Sequence, residues 1–295
     1  MASEVDNQVV EQESRQARII LATTILGVIG AMAGLMIQSS GLDPNAEDDA
    51  ERLVDRADHF SSILVGSILT AVGYVLLGFT VLFLFNAVAR RTDRARDSLK
   101  PLIIIGPVLL AISGIVTSIG YDSVAQDFVD AGLPLSGDAA VDRAQDLVGD
   151  STVLQIGAFT ALAGIAAFAF GIIYSAMWAM RVGLLTRFWG TLGMAFGAAF
   201  LLSQFLGPIG FLGVLFWMIH VALIANGRWM GGPLPAWETG TAVPWPDPNA
   251  PPPEPEPEES ANPEDFEGSA TDVSGTPGRP GRRDNKRKRK RKQRG

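Results

Sequence analysis

Residues able to carry chemistry are scarce in the apolar part of this chain and crowded at its C-terminal end. The long uncharged runs hold no Asp, Glu, Lys or Arg in their interiors, and His220 is the one histidine there. An ionisable group inside a membrane usually marks an ion path or proton relay. A lone histidine more often serves as a hydrogen-bonded packing residue, so His220 is kept as a secondary polar site. The C-terminal segment RPGRRDNKRKRKRKQRG carries eleven basic residues from Arg279 to Arg294 against one acid, Asp284. Arg282, Arg283, Lys286, Arg287, Lys288, Arg289, Lys290, Arg291 and Lys292 are candidates for contact with anionic lipid. Each basic residue near such a surface is worth roughly 1 kcal/mol, falling off within a Debye length. Nucleic acid would satisfy the same charges and show the same salt sensitivity; solvation alone, or contact with Glu254 to Glu267, is a further use. Membrane lipid is the favoured partner and nucleic acid the disfavoured one.

Other chemistry is missing. There are no cysteines, which excludes disulfides, thiolate metal sites and cysteine nucleophiles. The acidic stretches lack the Asp-x-Asp-x-Asp-Gly order of a calcium loop, and no phosphate-binding glycine loop or nucleophile elbow occurs. No catalytic residue, metal or cofactor is expected, and the chain reads as non-enzymatic.

The elements that position these residues are apolar rods. Phe60 to Ala89 is thirty residues without a charge and Pro101 to Tyr121 is twenty-one more, where about 20 suffice to span a bilayer. The eleven residues between hold Arg90, Arg91, Arg94, Arg96 and Lys100, the composition of a cytoplasmic loop. Further spans are expected over Arg18–Ser39, Thr152–Met180, Phe188–Phe205 and Phe211–Asn226, with a tight turn at Leu206–Gly210. The fold class expected is an all-α membrane protein with six transmembrane helices and both termini inside, in the plasma membrane. Residues 1–17 form an inner tail, 18–228 the transmembrane domain, and 229–295 a disordered Pro-rich acidic, then polybasic, cytoplasmic tail. Short amphipathic outer helices are expected in residues 40–59, starting at Asp43-Pro44, and as two pieces within 122–151. Inner flanks and connectors hold ten basic residues and outer loops three, while the two long outer loops hold fourteen acids; every connector agrees on the orientation. Val54-Asp-Arg-Ala57 and Val141-Asp-Arg-Ala144 precede spans two and four as a faint internal repeat.

Small residues mark where helices could pack: Gly30 and Gly34 in span one, Gly66 with Ser62 and Thr70 in span two, Gly193 and Gly197 in span five. In topology alone, six spans with Ser175 in the fourth and His220 in the sixth resemble rhomboid-type intramembrane proteases. That family's Gly-x-Ser motif is replaced here by Ile173-Tyr174-Ser175, and Ser175 lies towards the inner end, so no protease is expected. The reading is a scaffold or envelope-associated membrane protein whose polybasic tail contacts anionic lipid, with a second copy or a membrane protein as its other partner. The alternative is a transporter or channel for a small, weakly charged solute. A polar cavity reaching past Tyr74 or Tyr174 distinguishes the alternative.

Overall fold

The computed structural model describes residues 2–246 apart from 41, 45, 47, 230 and 231. The Pro-rich and polybasic segments, and with them the lipid-contact candidates Arg282 to Lys292, lie outside the described residues.

No glycine or proline interrupts residues 2–26, so the first helix starts far upstream of the apolar run. Helix α1 (Ala2–Ser39) is continuous, so residues 2–17, read from sequence as an inner tail, are helical. Helix α2 (Asp49–Ala89) starts where the Asp48 carboxylate accepts the Glu51 N–H at 2.9 Å, a standard N-cap. The expected start at Asp43-Pro44 is therefore displaced. The Asp43 N–H instead donates to the Asp55 carboxylate at 2.7 Å, tying the preceding turn to the helix. His59 (φ −115°, ψ 15°) kinks α2 between its acidic extension and its apolar run.

Helix α3 (Lys100–Asp130) also outruns the membrane segment expected of it. Nothing breaks it between Gly120 and Gly132, so the first of the two amphipathic pieces expected in 122–151 is an extension of α3. Helix α4 (Asp138–Asp150) is the second, starting after Gly137 at φ 87°, a conformation that favours glycine. Helix α5 (Thr152–Arg181) follows, capped by Ser151. The remaining elements are α6 (Arg187–Leu201), the single turn α7 (Ser203–Leu206), α8 (Ile209–Ala225) and α9 (Pro235–Thr239).

Helices α1, α2, α3 and α5 are long and apolar enough to cross a membrane. In lipid every backbone N–H and C=O must be satisfied within the chain, which makes helices of such runs; no strand occurs among the described residues. Helices α6 and α8 have 15 and 17 residues. At 1.5 Å per residue they reach about 22 and 25 Å, short of a hydrocarbon core of about 30 Å. They form a hairpin that packs against α5 and α1, so that the apolar helices close a ring in the order α1, α2, α3, α5, α6, α8.

Two cores result. The large one joins Leu84, Phe85, Phe168, Ile172, Trp217 and Met218 among others, all essentially buried. The smaller one lies at the acidic end, where Leu53, Val124, Phe128, Ala140 and Ala144 meet. The two Val-Asp-Arg-Ala segments converge there: Arg56 lies 4.3 Å over the Tyr121 ring and Arg143 4.4 Å over that of Phe128, one heptad apart on the extension of α3. Burial pushes the Arg56 guanidinium below its ordinary pKa, with Tyr121 opposing. Aromatic faces partly replace water around these cations.

Candidate functional site

Four distant parts of the chain meet at the basic end of the bundle. Arg91, one residue past the C-cap of α2, points inward rather than to solvent, with its side chain fully covered. Its Nη1 and Nη2 donate to the two carboxylate oxygens of Glu13 on α1 at 2.9 and 2.7 Å. The second Nη1 hydrogen goes to the Ala87 carbonyl at 2.8 Å. Nη2 and Nε donate to the Ala236 carbonyl at 2.8 and 3.2 Å. All five guanidinium donors are thus used. Arg90 adds a 3.3 Å contact to Glu13.

Ala236 belongs to a strap that runs beneath the α5–α6 connector. Trp237 stacks on Phe83 at 5.8 Å and donates its indole N–H to the Leu184 carbonyl at 2.9 Å. The Val243 N–H reaches Val182 O at 3.0 Å, and the Trp245 indole reaches Leu185 O at 2.9 Å. Arg187 donates to the Pro246 carbonyl. Asn226 closes the circuit by donating to Ala17 O at 2.7 Å. Sequence reasoning missed Glu13 and Arg91, placing one in a tail and the other in a solvated loop. The strap itself falls at the start of the stretch 229–295 read from sequence as a disordered tail.

The glycines singled out from sequence fall into two groups. A Cβ on Gly34 would sit 2.5 Å from Gly66 O and 2.6 Å from the Thr70 amide N, and one on Gly66 would sit 2.6 Å from Gly34 O. These two glycines face each other across α1 and α2, with Gly73 against Ala31 two turns further on. Gly30, on the same side, is looser: a Cβ there would be 3.4 Å from Leu69 O. Hydrogen bonds between Thr24 and Thr80 at 2.7 Å and from Gln38 to Thr70 at 3.0 Å join the same pair. Each such bond within a membrane bundle contributes about 0.6 kcal/mol. Gly193 and Gly197 face different partners, Trp217 of α8 and Ile173 of α5.

His220 sits in an aromatic group, stacked on Trp189 at 4.5 Å with Phe216 and Trp229 around it. Its Nδ1 lies 2.7 Å from the Phe216 carbonyl. Ser175 is buried with its hydroxyl unpartnered among the described residues, so the two do not form a nucleophile–base pair.

A cavity of about 340 Å³ lies between α1, α2, α3, α5 and the α6–α8 hairpin. Its polar lining is uncharged: Gln38, Ser67, Thr70, Tyr74, Ser113 and Ser203. Buried Ser67, Thr70, Leu110 and Ser113 form its floor, and exposed Leu35, Gly114, Gly207 and Pro208 its rim. Tyr74 lines it and Tyr174 does not, so the cavity reaches Tyr74 without passing it. Below Tyr74 the packed core of Leu77, Leu84, Phe85 and Phe168 follows.

Comparison of the chain with protein-family models, with curated proteins and with solved structures gave no match. The class therefore rests on fold and chemistry: an all-helical chain with four helices able to span a membrane, consistent with a helical membrane protein.

Proposed function

We propose that this chain is a non-enzymatic multi-pass protein of the plasma membrane that holds its polybasic segment against the anionic inner leaflet. Both termini are cytoplasmic, and α6 and α8 enter the membrane as a short hairpin in place of a fifth and sixth full pass. The hairpin returns to the end from which it started, so the parity is the same however far its tip reaches. The observation that carries this reading is the strap. Residues 236–246 are tied under the α5–α6 connector, at the end where Arg90, Arg91, Arg181 and Arg187 gather. The chain beyond Pro246 thus starts from the basic end, which the positive-inside rule assigns to the cytoplasm. Its eleven basic residues between Arg279 and Arg294 carry the charge that anionic headgroups attract.

Two experiments test this. A topology reporter inserted after Asp138 should read as external in intact cells; a cytoplasmic signal there overturns the orientation. Full-length protein in neutral nanodiscs should capture vesicles containing phosphatidylserine at least tenfold better than protein lacking Arg279 to Gly295. Rising salt should erase the difference. Equal capture by the truncated protein removes the lipid role, and capture of RNA in preference to vesicles reassigns the partner.

Transport is the second reading, favoured by the cavity at Tyr74. The packed core on its inner side makes it a blind pocket rather than an open path in this conformation.

A further inference from the structure

The cavity can be read further than as an arrested pathway. Its depth comes first. Gly114 lies seven residues before Tyr121, Ser67 seven after Phe60, and Ala161 ten after Ser151. At 1.5 Å per residue these positions sit roughly 10–15 Å inside the outer ends of the apolar runs. Gly207 and Pro208, the turn of the α6–α8 hairpin, line the same cavity. The hairpin tip therefore stops within the membrane on that side. Its surface agrees: Phe205 is 87% exposed and Ile209 66%, and no charged residue occurs from Leu201 to Phe211. Such a tip is suited to hydrocarbon, so the rim it forms opens toward lipid rather than toward bulk water.

The chemistry of the lining comes second. No charged side chain is among the residues around the cavity, so nothing there would compensate an ionic ligand for losing its hydration. Tyr74 and Ser203, both half-buried, line it, and their hydroxyls have no hydrogen-bond partner among the described residues, which leaves them open to a ligand. Gln38 uses one amide hydrogen on Thr70 and brings its remaining polar valences to the same wall. Ser67 and Ser113 spend their hydroxyls on bonds within the bundle, and the other lining side chains are apolar, including Leu110, Ile165, Phe200 and Phe211, with the Tyr74 ring edge-on to Phe211 at 5.8 Å. A compact apolar pocket with a few convergent hydrogen-bonding groups is the usual form of a small-molecule site.

We infer that this cavity binds an uncharged amphiphile drawn sideways from the membrane: an alkyl chain bearing a hydroxyl or carbonyl group that pairs with Tyr74, Ser203 and Gln38. The inference is independent of the tail's lipid contact and needs no path through the protein. Assigning the rim to the outer leaflet, at the acidic ends, would rest on the proposed orientation; the binding itself does not. In nanodiscs both leaflets are accessible, so the test below does not share its failure with the topology reporter.

The probe is a monoacylglycerol with a photoreactive diazirine on its chain, incorporated into nanodiscs holding the full-length protein. Label should map to cavity residues and be displaced by unlabelled monooleoylglycerol but not by glycerol. Tyr74→Phe removes one hydrogen bond and should raise the displacing concentration roughly tenfold. Gly114→Phe should abolish labelling. A Cβ there meets no atom within 4 Å, so the ring enters open space and the unfolding temperature should hold. Ala161→Leu is a second plug should the first fail to fold. The inference is overturned if labelling survives both plugs, if it lands only on lipid-facing residues such as Phe159 and Ile112, or if wild type and Tyr74→Phe respond alike. Displacement by glycerol alone overturns the membrane-borne class in favour of a water-soluble polyol.

Discussion

Arg91→Ala should destabilise the protein by about 3–5 kcal/mol, whereas Arg94→Ala, three residues along the same connector, should change it by no more than about 0.5 kcal/mol. Both are arginines in a basic loop, and their surroundings differ completely. The Arg91 side chain is 0% exposed and that of its partner Glu13 3%; Arg94 is exposed. Truncating Arg91 leaves a buried carboxylate with only the 3.3 Å contact from Arg90. It also strips the Ala236 carbonyl of both its guanidinium donors. The loss of one partner from a buried pair is costly because the remaining charge is desolvated and uncompensated. Lysine should not restore the wild-type level, since three donors on a point charge cannot reproduce a five-donor fork. The double replacement Glu13→Leu with Arg91→Leu should recover part of the loss by removing both charges together. Denaturant unfolding in detergent measures all four variants. Protease cleavage within residues 236–246 should rise in Arg91→Ala as the strap detaches. Stability equal to that of Arg94→Ala would show that the cluster contributes nothing.

The second large effect is expected at the contact between α1 and α2. Gly34→Leu should separate the two helices and cost at least about 3 kcal/mol, at or above the upper end for overpacked sites. The new Cβ would meet backbone atoms, Gly66 O at 2.5 Å and the Thr70 N at 2.6 Å. Backbone cannot rotate away as a side chain can, so the helix axes must move. The hydrogen bonds from Gln38 to Thr70 and between Thr24 and Thr80 would then be lost too. Gly66→Leu should behave alike because it faces Gly34 O at 2.6 Å. Gly30→Ala, with its Cβ 3.4 Å from Leu69 O, should be nearly neutral. Unfolding of the three variants in a denaturing detergent orders them. Gly30→Ala proving as damaging as Gly34→Leu would mean that the close approach lies elsewhere.

These two sites differ in how far they could be read from residues alone. The small-residue stripes of α1 and α2 were visible at their spacing, because lipid offers no hydrophobic drive and close approach must supply the packing. That Gly34 meets Gly66 was not visible, since spacing names a face and not its partner. The same motif at Gly193 and Gly197 shows the limit, its two members serving different helices. Arg91 was legible only as one basic residue among five in its connector. Its burial depends on Glu13 and Ala236, which are 78 and 145 residues away along the chain. The starts of α1 and α2 were misplaced for a local reason. Residues 2–17 lack a breaker yet read as polar and unanchored, and Asp48 competes with Asp43 for the role of cap.

Length and placement of the apolar runs, and the sorting of arginine from aspartate between their ends, were properties of the chain by itself. A solvent without hydrogen bonds leaves such runs no structure but the helix, and charge cannot be hidden within them. The short reach of the α6–α8 hairpin, the cavity left beside its tip and the choice of Arg91 over Arg94 were decided by tertiary structure. Each arises where surfaces from several distant segments meet, and no local spacing encodes which surfaces those will be.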